Sequence, residues 1–166
     1  MDPRQAVVRL KELLESLVGQ FDELMALFAG EREAFLARDP DRMEAMAALI
    51  GGKLEEIQNS DKRRQVLARD LGRVLKVPAE AVTLASIDQA LGGGTGLLAI
   101  RERLQAGVAR ADRANQENQA VFQGVLAATE SVLMALKTGA RTGVPSYNRH
   151  GKRHATADFH LFSKQL

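Results

Sequence analysis

The sequence predicts an all-α protein. It reads as three long antiparallel helices in an elongated coiled-coil-like hairpin or bundle, with a short connecting helix and a flexible basic C-terminal tail. Three observations predict this. Apolar residues make up 45% of the 166 residues, yet aromatics make up only 4% and there is no Trp. A core of that composition is built from Leu, Val, Ala and Met, which suits packed helices better than a sheet sandwich. Apolar residues also recur at alternating steps of three and four over three long stretches, the period of a helical seam. Finally, Pro3, Pro40 and Pro78 each fall where a helix could begin or end.

The first helix opens at Asp2-Pro3, a capping residue followed by proline at the first helical position. Its seam is Leu10, Leu14, Leu17, Phe21, Leu24, Phe28 and Phe35, interrupted by Glu31. A helix over residues 3–38 spans roughly 50 Å at 1.5 Å per residue, a length suited to a hairpin. Asp39-Pro40 repeats the opening signal. The second seam is Met43, Met46, Ile50, Lys53, Ile57, Ser60, Arg64, Leu67 and Leu71, with Leu49 and Leu54 widening the stripe. Gly51-Gly52 inside it predicts a local bend, and Gly72 or Val77-Pro78 a stop.

Residues 78–96 read as punctuation. A short helix from Leu84 to Leu91 can be capped by Thr83, and the glycines at 92–94 and 96 make a flexible turn. The third long helix runs from about Leu97 to Lys137. Its predicted seam is Leu97, Arg101, Leu104, Val108, Ala111, Asn115, Asn118, Phe122, Val125, Thr129, Val132 and Leu136, with Gly139 and Gly143 to stop it. The chain therefore divides into a helical domain, 1–138, and a tail, 139–166. The tail carries Arg141, Arg149, Lys152, Arg153 and Lys164 against Asp158, a net of +4, so the first 138 residues sum to −2.

Several function classes lose their support. With no Cys there are no disulfides, thiolate ligands or Cys nucleophiles, which fits a reducing cytoplasm. The N-terminal residues show no signal-peptide pattern, and no apolar run approaches the roughly 18–20 residues that cross a bilayer, so no membrane insertion is expected. The glycine loop lacks the preceding strand and following Lys-Ser or Lys-Thr of a phosphate cradle. The only histidines, His150, His154 and His160, lie in the tail with no Cys or Glu nearby to complete a metal set. No Ser/His/acid arrangement is supported. The expectation is no enzyme, no cofactor and no metal. The tail cations lack interleaved aromatics, a weak footprint for nucleic acid.

Asn115 and Asn118 stand on the third seam where apolar residues are expected. They either set helix register, as a seam Asn does in coiled coils, or face a groove shared with a partner. The methionines fit core filling or a helix-binding surface.

Four segments resemble one family. Glu31, Ala34, Phe35 and Asp39 are similar to the E-x-x-A-L-x-x-x-D turn of the FlgN-type flagellar chaperones, with Phe35 in place of the usual Leu. Lys53 and then Arg64, Leu67, Leu71 and Gly72 resemble that family's K…R-x-x-L-x-x-x-L-G second helix. Asn115 and Asn118 match its N-x-x-N, and Tyr147 with Gly151 its Y-x-x-x-G. The matches fall in order over nearly the whole chain; the Gly51-Gly52 pair and the 78–96 insert depart from the pattern. The resemblance implies a cytoplasmic export chaperone of the flagellar type III secretion system. Its clients would be the hook–filament junction proteins FlgK and FlgL, held through Asn115, Asn118, Phe122, Val125, Val132 and Leu136 and through Phe159, Leu161 and Phe162 of the tail. Tyr147 would dock on the export-gate protein FlhA. The client-free chain would be a monomer or small homo-oligomer. The rivals are a self-assembling structural coiled coil and a helical nucleic-acid-binding protein using the basic tail.

Overall fold

The computed structural model describes residues 2–142, with side chains through 138. The described residues form four helices: α1, Pro3–Leu36; α2, Pro40–Val74; α3, Leu84–Ala90; and α4, Leu97–Thr142; a single 3-10 turn, Ala79–Ala81, precedes α3. No strand is present among them. The chain divides into two compact units, Met1–Phe122 and Gln123–Leu166.

The helix ends follow local chemistry. Asp2 caps α1 by accepting from the Arg4 amide, and Asp39 caps α2 by accepting from the Arg42 amide, each with proline in the first turn. Thr83 and Ser86 form a reciprocal capping box on α3. Both long helices of the hairpin close on a non-glycine residue in the left-handed region, Arg38 (φ 55°) and Lys76 (φ 60°). In each, the next residue's amide reaches back to the helix: Asp39 N–H to Ala34 O, and Val77 N–H to Gly72 O. These are Schellman closures with the glycine position filled by a cation. Helix α2 runs unbroken through Gly51-Gly52, because both are exposed and neighbouring packing holds the rest of the helix. Helix α4 continues past Gly139 to Thr142.

Within the first unit, α1 pairs antiparallel with α2, and α4 lies parallel to α1. The parallel direction follows from a near-constant offset between partners: Glu15 with Arg103, Asp22 with Arg110, Arg32 with Glu117 and Phe35 with Phe122. The core has two clusters. One joins Ala6, Leu10, Leu14, Leu71, Ile87, Leu97 and Ile100, and puts the small α3 on the bundle. The other joins Leu17, Leu24, Phe28, Ile50, Ile57 and Ala111. A polar contact interrupts the α1–α2 seam, where buried Gln20 donates to Ser60 and Glu56 while its Oε1 meets no donor.

The α1 seam packs as its spacing predicts. The α2 seam does too, including its polar members: Ser60 is buried, and Lys53 and Arg64 are half-buried. Leu49 and Leu54 are exposed, so the stripe is narrower than expected. On α4 the seam shifts by one residue at alternate positions. Ile100 and Gly107 turn inward where Arg101 and Val108 were expected, Ala114 and Asn115 are both half-buried, and Leu97, Leu104, Ala111 and Asn118 hold. The reason is polarity and bulk: Ile100 buries apolar surface that Arg101 cannot, and Gly107 admits Phe21, whose Cβ lies 3.5 Å from where a side chain would start.

Candidate functional site

Among the described residues no group of three His, Asp or Glu side chains is placed to hold a metal. The perturbed ionisable groups serve structure. Lys53 bridges Glu23 and Glu56 across α1 and α2, which raises its pKa, the Glu23 hydrogen bond contributing most. The same contact lowers Glu56. Asp88 accepts from the Thr95 hydroxyl and amide, and these bonds lower its pKa. That carboxylate pins the glycine loop, whose Gly92, Gly93, Gly94 and Gly96 all take positive φ.

Asn118 is the most tightly held polar residue. It is 1% exposed. Its amide donates to Phe28 O at 2.8 Å and to Glu31 Oε2 at 2.9 Å, and its Oδ1 accepts from Arg32 Nε at 2.8 Å. Arg32 in turn pairs with Glu117. Every partner lies on α1 or beside Asn118 on α4, so the residue fixes the register of these two helices. Asn115 is half-buried and makes no side-chain hydrogen bond among the described residues. Phe122 is half-buried against Phe35, with ring centroids 4.2 Å apart. Thus two of the expected client contacts, Asn118 and Phe122, face α1.

Beyond Phe122 the character of α4 changes. Val125, Val132 and Leu136 are 43%, 59% and 64% exposed, and Leu126, Leu133 and Met134 join them. The seam continues in sequence, but in the second unit the described side chains from 123 to 138 are all exposed. Leu126 and Leu133 were not singled out from sequence, although each sits one position along from a seam residue; of the two readings of the methionines, the exposure of Met134 agrees with a surface role rather than core filling. An 18-residue window of α4 reaches a mean hydropathy of 1.3 with at most two charged side chains and none of it buried. It passes for a membrane span by length and composition alone, and the stretch is still interrupted by Gln123, Glu130 and Ser131. Tyr147, Phe159, Leu161 and Phe162, and the three histidines, lie outside the described residues.

The first unit also has an open groove that spacing did not reveal. It holds about 550 Å³ between α2 and α4, floored by Leu17, Phe21, Ile57 and Leu104 and edged by Asp61 and Val108. Val108 is exposed because it stands on this rim.

What the described surface offers is an apolar helical face on α4. No curated protein and no solved structure matches the chain significantly. The family model described as FlgN protein matches residues 1–155. This match, over most of the chain, places it in the FlgN family of flagellar export chaperones.

Proposed function

We propose that this protein holds the hook–filament junction proteins FlgK and FlgL in the cytoplasm and delivers them to FlhA at the export gate. The observation that carries the reading is the unpartnered face of α4 formed by Val125, Val132 and Leu136. An amphipathic client helix laid on it buries apolar surface on both partners, at roughly 25 cal/mol per Å² before ordering costs. Phe159, Leu161 and Phe162 of the tail extend the client contact, and Tyr147 docks on FlhA. Asn118 acts indirectly, by fixing the register of α4 against α1 within the first unit; Asn115 and Phe122 precede the client face in sequence. The seams of α1, α2 and the first part of α4 pack within one chain, which favours this reading over a self-assembling coiled coil.

The test is co-purification with the C-terminal helical segments of FlgK and FlgL, each alone. A stoichiometric complex is expected, lost when Val125, Val132 and Leu136 become Ser and weakened when Phe159, Leu161 and Phe162 become Ala. Truncation at residue 139 abolishes binding while helicity survives. Full affinity after truncation refutes the role of the tail, and no complex with either segment refutes the assignment of clients.

A further inference from the structure

The groove of the first unit runs on past Leu104. A second depression of about 580 Å³ shares Asp61 and Leu104 with it and continues it to Val82 and Leu84. Its floor is the α1 ridge of Leu14, Leu17 and Phe21, whose steps of three and four keep one face of that helix along the groove. Ile57 of α2 and Leu104 and Val108 of α4 form the apolar walls. An apolar ridge between two flanking helices is the setting that a fourth helix fills in a bundle, its side chains interdigitating with the ridge. No helix among the described residues fills it here: Phe21 and Leu104 stay half-buried and Val108 is 45% exposed. The wall from Arg101 to Val108 runs for about 10 Å at 1.5 Å per residue, the length of two helical turns.

Charge at the rim selects the occupant. On the side of α4 that meets α1, Arg103 pairs with Glu15 and Arg110 with Asp22. On the groove side Arg101 is exposed and pairs with no carboxylate among the described residues, and the same holds for Lys62 on the α2 wall. Asp61, the acid among the described lining residues, is already engaged by Arg64 and Gln65. An apolar slot with an uncommitted cation on each wall complements a helix that carries an apolar stripe and carboxylates on both shoulders. A second copy of this chain does not offer that pattern: its exposed apolar stretch from Gln123 to Thr138 bears one acid, Glu130, against Lys137.

We propose that the groove between α2 and α4 docks one acidic amphipathic helix of a partner other than the client, its apolar residues seated between Ile57 and Leu104 and its carboxylates over Lys62 and Arg101. The site shares no residue with the client face and does not depend on the client assignment.

The experiment is fluorescence anisotropy of the full chain with a labelled, stapled helical peptide of about four turns, leucines on one face and glutamates on both shoulders. The comparison is the same peptide with lysines in place of the glutamates. The glutamate peptide is expected to bind roughly ten-fold more tightly, the gap narrowing as salt is raised. K62E/R101E changes two exposed side chains, should keep the parent's circular dichroism, and should reverse the preference. V108Q should weaken the glutamate peptide roughly five-fold, while V125S/V132S/L136S should bind it as the parent does. Binding of neither peptide, a parent-like preference in K62E/R101E, or parent-like affinity in V108Q overturns the proposal. Loss of binding in V125S/V132S/L136S also overturns it, because the helix would then lie on the client face. Sedimentation equilibrium without peptide tests the other occupant: a mass unchanged by V108Q is expected, and a dimer that V108Q dissociates would assign the groove to a second copy instead. Complexes with the FlgK and FlgL segments are expected to survive V108Q; their loss would merge the groove with the client site and overturn its separate partner.

Discussion

Replacing Asn118 by Ala removes three hydrogen bonds that tie α4 to α1. The bond to Phe28 O at 2.8 Å is neutral and buried, worth about 1 kcal/mol net. The bonds with Glu31 and Arg32 involve charged groups. The Arg32 side chain is 36% exposed, so water recovers much of what is lost there, leaving about 0.5 kcal/mol for each of the two. The vacated volume adds a small cavity term. The expected cost is about 2–3 kcal/mol, or roughly a 5–10 °C fall in Tm for a domain of this size. Urea unfolding followed by circular dichroism measures it. Asn115→Ala is the control, since Asn115 is half-buried and makes none of these bonds; it should cost under about 0.5 kcal/mol. If Asn118→Ala costs no more than Asn115→Ala, the register role is wrong.

Gly72 is buried where the chain before α3 crosses α2, and a Cβ there would meet Val82 Cγ2 at 2.6 Å; Gly72→Ala should therefore cost about 1–3 kcal/mol in chemical unfolding and be partly rescued by Val82→Ala. Arg38→Gly and Lys76→Gly relieve left-handed backbone at both Schellman closures, and each should raise stability by about 0.5–1 kcal/mol in the same assay; a loss would mean that the two side chains contribute contacts outweighing the strain. Asp88 has a depressed folded-state pKa, so its contribution is present above the unfolded value and lost as pH falls through the folded one. Asp88→Asn keeps an acceptor for Thr95 without the charge. The stability difference between the two proteins should be constant near neutrality and shrink under acid, and a difference independent of pH would count against the carboxylate's role in pinning the loop.

Much of the fold was legible because its signals are local. Capping by Asp2, Asp39 and Thr83 depends on a few neighbouring residues, and the three-four spacing on α1 and α2 marks one face of a helix whatever packs on it. The errors fall where two helices compete for the same face. Spacing alone allowed either Arg101 and Val108 or Ile100 and Gly107 to turn inward; the small Gly107 beside Phe21 and the Asn118 bonds to α1 decided it. Likewise no pattern within α2 could show that Lys53 would lie between Glu23 and Glu56, since those acids come from two helices.

The candidate site divides the same way. Sequence by itself determined that α4 carries an apolar stripe to Leu136, that the tail is basic, and, through its ordered motifs, which family the chain belongs to. Only tertiary structure decided which part of that stripe is already spent. Up to Phe122, α1 lies alongside and takes up the apolar face and the Asn118 amide; α1 ends at Leu36, just past the Phe35–Phe122 contact. From residue 123 the same periodic pattern goes on with its side chains exposed. Periodicity reports which residues share a face, whereas burial depends on whether another element is long enough to cover it.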